Sequence, residues 1–243
     1  MLGAFPFFAQ AVEPTGPSQM ARDAGMPYLR ALAQAGQAYA QRDFAKALDK
    51  LDIADQIQQN IPDTWNMRGA IYAAQRDYDR AEDAFQKASR FNPQDFWAPY
   101  NLAELLLLEK KYAQAAAAFQ KLAVYGGGHE ELVQYKVVLS NLLAGNPDAA
   151  KPALDAMKFP SDTAAYYFAH AAWGFAHKNE ADGKSWTKSG LKVFGVPYSM
   201  SFYDELAQAG WLPPREADGS VPTETDLTTL PSAAALPAPD STP

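Results

Sequence analysis

Between Trp65 and Pro93 the chain places small and large residues at intervals that leave it few ways to fold. Gly69 and Ala81 have almost no side chain, while Trp65, Tyr72 and Phe85 are bulky aromatics, and their spacing sets small against large across two helices joined by a short turn. The small residues let the helices approach, and the aromatics fill the space on either side. Asp77 and Tyr78 mark the passage from one helix to the next. Asn92-Pro93 ends the second helix, because proline disfavours helical geometry in the residue before it. The stretch predicts one helical hairpin, closed at both ends.

The pattern recurs along the chain. Gly36, Tyr39, Phe44, Ala47 and Ala54 echo Gly69, Tyr72, Tyr78, Ala81 and Ala88, at an offset of 33 residues in the first helix and 34 in the second. Gln41-Arg-Asp43 returns as Gln75-Arg-Asp77. A third unit follows, with Ala103, Leu106, Tyr112, Ala115 and Phe119 lying 34 residues after Gly69, Tyr72, Tyr78, Ala81 and Phe85. Here Pro99 stands in the tryptophan's place, which a helix accepts if Asp95 caps it and keeps the proline near the first turn. Gly126-Gly-Gly128 closes this unit. No lysine with serine or threonine follows the glycines, so they read as helix termination rather than a phosphate loop.

Trp65, Gly69, Tyr72, Ala81, Phe85 and Pro93 together resemble the tetratricopeptide repeat, a 34-residue helix-turn-helix unit, with Arg68 standing where the pattern has leucine. The resemblance implies an all-α fold, an α-solenoid of stacked antiparallel helical hairpins wound into a right-handed superhelix. It also implies a concave groove lined by the first helix of each hairpin, in which a partner protein or peptide is held. Counting from Gly69, the groove would present Ala33, Gln37 and Ala40 from the first hairpin and Asp63, Asn66, Ala70 and Ala73 from the second. The third would add Trp97, Tyr100, Glu104, Leu107 and Leu108. The candidate contact residues are Gln37, Asn66, Trp97, Tyr100, Glu104, Leu107 and Leu108, with Trp97 and Tyr100 as aromatic anchors. Some relatives clamp a C-terminal carboxylate with cationic side chains. The matching places here hold Ala33, Gln37, Met67, Trp97 and Asn101, so that clamp is missing.

The chain divides by composition. Residues 1–27 form a lead-in rich in proline and glycine, 28–125 hold the three hairpins, and 126–211 continue the helix-turn-helix rhythm as two degenerate hairpins and a capping helix. In that third part helices are expected near 129–143, 147–157, 162–177, 180–194 and 199–209. Asn146, and then Ser161 or Asp162, stand as caps, and Pro147 opens a helix. Residues 212–243 form an acidic, proline-rich tail, which has too little apolar surface to offset the entropy of ordering.

With 48% hydrophobic residues the chain can bury a sizeable core. The net charge of −7 is concentrated at the end, where residues 213–243 carry −4. There is no basic field to draw phosphates, so nucleic acid is not an expected partner. The absence of cysteine excludes disulfides and thiolate metal sites. Neither a zinc-protease, a serine-hydrolase nor a dinucleotide motif is present, and no catalytic residue or cofactor is expected. His170 and His177, seven apart, would share a helix face and could hold a metal if a third ligand came from another helix, although a lone pair of this kind is more often structural.

The apolar run Leu2-Gly-Ala-Phe-Pro-Phe-Phe8 followed by Ala9-Gln-Ala11 resembles the end of a secretory leader, which points to export to a bacterial periplasm or envelope; the alternative is a cytoplasmic chain. No run reaches the eighteen or so apolar residues that a membrane helix requires. The sequence favours a non-enzymatic scaffold. A subunit that self-associates through the aromatic-rich region beyond Tyr166, and a helical protein binding a metal or small ligand, are the alternatives.

Overall fold

The structure, a computed structural model, describes residues 17–123, 128–216 and 219–222. Among these residues there are eleven helices and no strand. In chain order they are α1 (Gln19–Asp23), α2 (Gly25–Ala40), α3 (Phe44–Ile57), α4 (Pro62–Ala74), α5 (Tyr78–Phe91), α6 (Trp97–Leu108), α7 (Tyr112–Leu122), α8 (Glu130–Leu143), α9 (Pro147–Ala156), α10 (Ala164–Ala176) and α11 (Glu180–Gln208). The all-α, hairpin-by-hairpin expectation holds. The helices form two compact units, one reaching to Lys111 and one starting at Tyr112.

One backbone device makes the turns. Arg42, Arg76, Lys110, Gly145 and Lys178 all have φ between 59° and 73°, the left-handed region. They fall 34, 34, 35 and 33 residues apart. At each, the left-handed residue donates its N–H to the carbonyl three residues back, and the next residue donates to the carbonyl five back: Arg76 to Ala73 and Asp77 to Tyr72, both at 2.9 Å, then Lys178 to Phe175 and Asn179 to Gly174, again at 2.9 Å. This is the Schellman closure, which satisfies the last carbonyls of one helix before the next begins. Asp43, Asp77 and Asn179 then cap the following helices by accepting from Lys46, Arg80 and Asp182 N–H. Four of the five turns use arginine or lysine where glycine is the unstrained residue. A left-handed residue with a side chain costs about 1–2 kcal/mol, and glycine gives back part of that in the unfolded chain. Lys178→Gly is therefore expected to stabilise by about 0.5–1 kcal/mol. A rise in thermal midpoint checks this, and a fall would show that the lysine side chain offsets its own strain.

In the N-terminal unit α2 packs on α3 and α4 on α5. α4 also touches α2 and α6, so the first helices lie side by side. Ala35, Ala38, Ala47, Leu51, Met67 and Ile71 form one apolar cluster, and Ala21, Tyr28, Ala31, Ala54 and Ile61 another. Gly69 sits against Phe85, which is completely buried. Asp95 accepts the Ala98 N–H at 2.8 Å, which places Pro99 in the first turn of α6 as its position requires. The lead-in differs from its sequence reading: residues 19–23 are helical and α2 begins at Gly25, because Ser18 caps α1 and Ala21 is buried against the first hairpin.

In the C-terminal unit α8 packs on α7, α9 and α10, and α10 packs along α11. Gly174 of α10 and Gly183 of α11 bring two backbones together: a methyl group on Gly174 would lie 2.7 Å from the Gly183 nitrogen. α11 is broken at Gly195, where φ is 75° and ψ 166°, and Pro197 follows. The segment after the break returns Phe202 onto Tyr135 and Phe168, with ring centroids 5.0 and 5.5 Å apart. Two further differences from the sequence reading stand out. Thr163 takes the cap position of α10, while the Ser161 hydroxyl accepts the Thr163 N–H instead of capping the helix. The beginning of the acidic tail is fastened down, because Arg215 forks onto Asp204 at 2.7 and 2.8 Å, Tyr203 donates to the Pro213 carbonyl, and Val221 packs on the core. The remainder of that tail, from 223, and residues 1–16 with the leader-like run lie outside the described residues, as do Gly126 and Gly127.

Candidate functional site

The row of α2, α4 and α6 carries every candidate contact residue. On α2 Gln37 is exposed, as are Ala33 and Ala40. On α4 Asn66 is half-buried, and its amide reaches the Asp95 carboxylate at 3.4 Å. Burial pushes the Asp95 carboxyl above the usual carboxylate range, despite the hydrogen bonds it accepts from Ala98 and Asn66. Asp63, in the first turn of α4, accepts the Ser18 N–H at 2.8 Å on one oxygen and the Ser18 hydroxyl on the other.

On α6 the candidates separate by depth. Trp97 and Leu108 are half-buried; Tyr100, Glu104 and Leu107 are buried, at 1%, 0% and 5% exposure. The aromatics pack on one another, with Phe96, Trp97 and Tyr100 centroids 5.1–5.6 Å apart. Asn101 adds a fully buried amide next to Tyr100 in the chain. The structure thus brings all seven candidates onto one row but at different depths, with Gln37 the most open among them.

A second feature lies between α3, α4 and α5. A cleft of about 350 Å³ is lined by Trp65, Arg68, Tyr72, Arg80 and Lys87 together with Asp52, Asp55 and Asp83. Arg68, the residue in the leucine's place, donates to Asp52 at 2.6 Å and to Asp55 at 2.7 Å, tying the second hairpin to the first. Arg80 pairs with Asp77 and lies over the Tyr72 ring; Lys87 pairs with Asp83 and lies over Trp65. Each of these three cations already faces a carboxylate, so the cleft is a salt-bridged seam and has no spare charge to offer a ligand. Its only trace in the sequence is Arg68 itself.

The histidines are placed among aromatics. His170 stacks on Trp186 at 4.7 Å and lies 4.5 Å from Tyr166, where burial holds its pKa below the ordinary value. His177 lies 4.1 Å from the Trp173 ring, with its Nδ1 at 2.8 Å from the Trp173 carbonyl. Among the described residues no three side chains of histidine, aspartate or glutamate are grouped to hold a metal ion. Nor is any helix there long and apolar enough to cross a membrane. Lys136 and Glu205 form a fully buried ion pair at 2.7 Å in the C-terminal unit, and no local sequence pattern announces it.

No curated protein matches the chain. Residues 62–95, which span α4, its turn and α5, match the family model described as Tetratricopeptide repeat, and over that hairpin the chain is similar to this family.

Proposed function

We propose that this chain is a non-enzymatic scaffold that holds a partner protein or peptide along the first helices of its N-terminal unit. The observation that carries the reading is the tetratricopeptide match over α4 and α5, in a unit whose first helices α2, α4 and α6 lie side by side. Repeats of this kind are protein-interaction units that offer extended surfaces. Gln37, with Ala33 and Ala40, forms the open stretch, and Asn66, Trp97 and Leu108 continue it. Tyr100, Glu104 and Leu107 form the floor beneath. Holding works by shape and apolar anchoring, without bond breaking. A place in a bacterial envelope assembly belongs to the same proposal.

The test is affinity co-purification from native cells, comparing the wild type with an Ala33→Arg, Gln37→Glu variant. Both positions are exposed, so the fold is retained. The expected result is loss of one abundant companion at unchanged helicity. Retention of every companion would sink the groove reading. A second reading, self-association, draws on the exposed apolar residues of the C-terminal unit, Phe159, Val193 and Tyr198, at 67%, 57% and 77% exposure. Light scattering that shows a monomer at micromolar concentration and above would remove it.

A further inference from the structure

The short helix α1 is attached to the row of first helices by very little. Of its five residues only Ala21 is buried, joining Tyr28, Ala31 and Ile61 in one small cluster. Met20 is 41% exposed. The polar attachment is Ser18, whose N–H and hydroxyl donate to the two oxygens of Asp63 while its hydroxyl oxygen accepts the Ala21 N–H at 3.1 Å. The other polar side chains of α1 bond within the segment: Arg22 reaches the Pro17 carbonyl and Gln19, and Gln19 reaches Asp23. Two small side chains, the buried Ala21 and the half-buried Ala24 beside it, and one carboxylate hold the segment in place. A helix of five residues has no stability of its own, since nucleation costs more than so few hydrogen bonds return.

Asp63 lies on the face proposed above to receive a partner, and residues 17–24 already cover it. We propose that this segment is an internal occupant of the first-helix row: a latch that closes the α2–α4 end and gives way to a partner segment of the same chemistry. That chemistry is specific. The incoming segment brings a serine or threonine with its backbone N–H available, so that N–H and O–H both reach Asp63, and an alanine three positions later to fill the place of Ala21. The inference rests on the scaffold reading and adds to it the ligand's chemistry and its control. While the latch is shut, the partner's apparent affinity falls in proportion to the fraction of molecules that are open.

The test uses the full chain and needs no partner. The amides of Ala21, Arg22 and Ala24 donate to Ser18 Oγ, the Ser18 carbonyl and the Met20 carbonyl, and their hydrogen exchange reports the latch directly. They are expected to exchange about a hundredfold faster than the amides of α4 and α5, because the segment opens without the rest of the unit. Ser18→Ala is expected to speed them about another tenfold, through loss of the cap and of the bond to a charged acceptor, with α4 and α5 unchanged. A labelled peptide of residues 17–24 should then bind the Ser18→Ala chain about tenfold more tightly than the wild type. Asp63→Ala should abolish that binding while helicity is kept.

Protection of α1 equal to that of α4 would overturn the proposal. So would a peptide that binds the wild type and Ser18→Ala equally, or neither. A Ser18→Ala chain that becomes a dimer by light scattering would mean that the segment exchanges between copies, which also overturns it. Companion loss in the Ala33→Arg, Gln37→Glu variant is read separately, so failure of the scaffold reading and failure of the latch remain distinct results.

Discussion

Lys136→Met is expected to destabilise the C-terminal unit by about 3–5 kcal/mol. Lys136 and Glu205 are both fully enclosed, and the Lys136 Nζ donates to the carboxylate at 2.7 Å. Removing the lysine leaves a charge in apolar surroundings with its main counter-charge gone. Burial already pushes the Glu205 carboxyl above its ordinary range, and Lys136 offsets only part of that. A raised carboxyl pKa in the folded state means that the fold holds the proton more tightly than the open chain does. Stability from this group is therefore greatest below the unfolded value of about 4.3 and is lost as pH rises through the folded one. The deficit of Lys136→Met should accordingly be small near pH 4 and grow toward neutrality. Lys136→Met with Glu205→Leu should recover most of the loss, since an apolar pair of similar volume replaces a buried ion pair at little cost. Urea denaturation of the two variants across that pH range decides the matter. Equal deficits at pH 4 and pH 7 would show that lost packing, and not the stranded charge, dominates.

Phe85→Ala is expected to cost about 3–5 kcal/mol through the cavity it leaves. Phe85 is completely buried, and its ring fills the space that the missing side chain of Gly69 leaves open. A methyl group on Gly69 would stand 2.4 Å from the ring edge, so Gly69→Ala alone is expected to cost about 1–3 kcal/mol by overpacking. The two positions share one volume. With the ring gone, the added methyl has room, and the double variant should be less destabilised than the sum of the single ones. A double-mutant cycle from denaturation midpoints measures this. Simple additivity would mean that ring and glycine do not compete for space, and a midpoint unmoved by Phe85→Ala would remove the packing argument altogether.

How much of this was legible in the sequence depends on how local the cause is. The Gly69 and Phe85 fit could be read because both lie within one hairpin and size alternation at helical spacing is a short-range signal. The turns were legible as turns, through the repeated Gln-Arg-Asp, yet not as left-handed caps, because arginine gives no hint of a conformation that glycine usually fills. Lys136 and Glu205 are 69 residues apart, and nothing in either neighbourhood announces the other. The sequence also assigned Tyr100, Glu104 and Leu107 to a helix face without being able to say how deep that face lies. Their burial depends on what packs over α6, and helical periodicity does not report it. The fastening of residues 213–216 was hidden for a related reason: Arg215 is one charge in an acidic, proline-rich stretch, and its partner Asp204 lies on the far side of a helix end.

The five left-handed turns bear on how such a chain changes length. Each has the same pair of closing hydrogen bonds and nearly the same φ, whatever the helices on either side contain. The stretch from Arg42 to Arg76 is thus a cassette whose two junctions have one geometry. Deleting or doubling it would rejoin the chain without asking the backbone for a new conformation, and only the side-chain faces of adjoining helices would need to agree. A backbone punctuated in this way puts its constraint on the junctions and leaves the residues between them freer to vary.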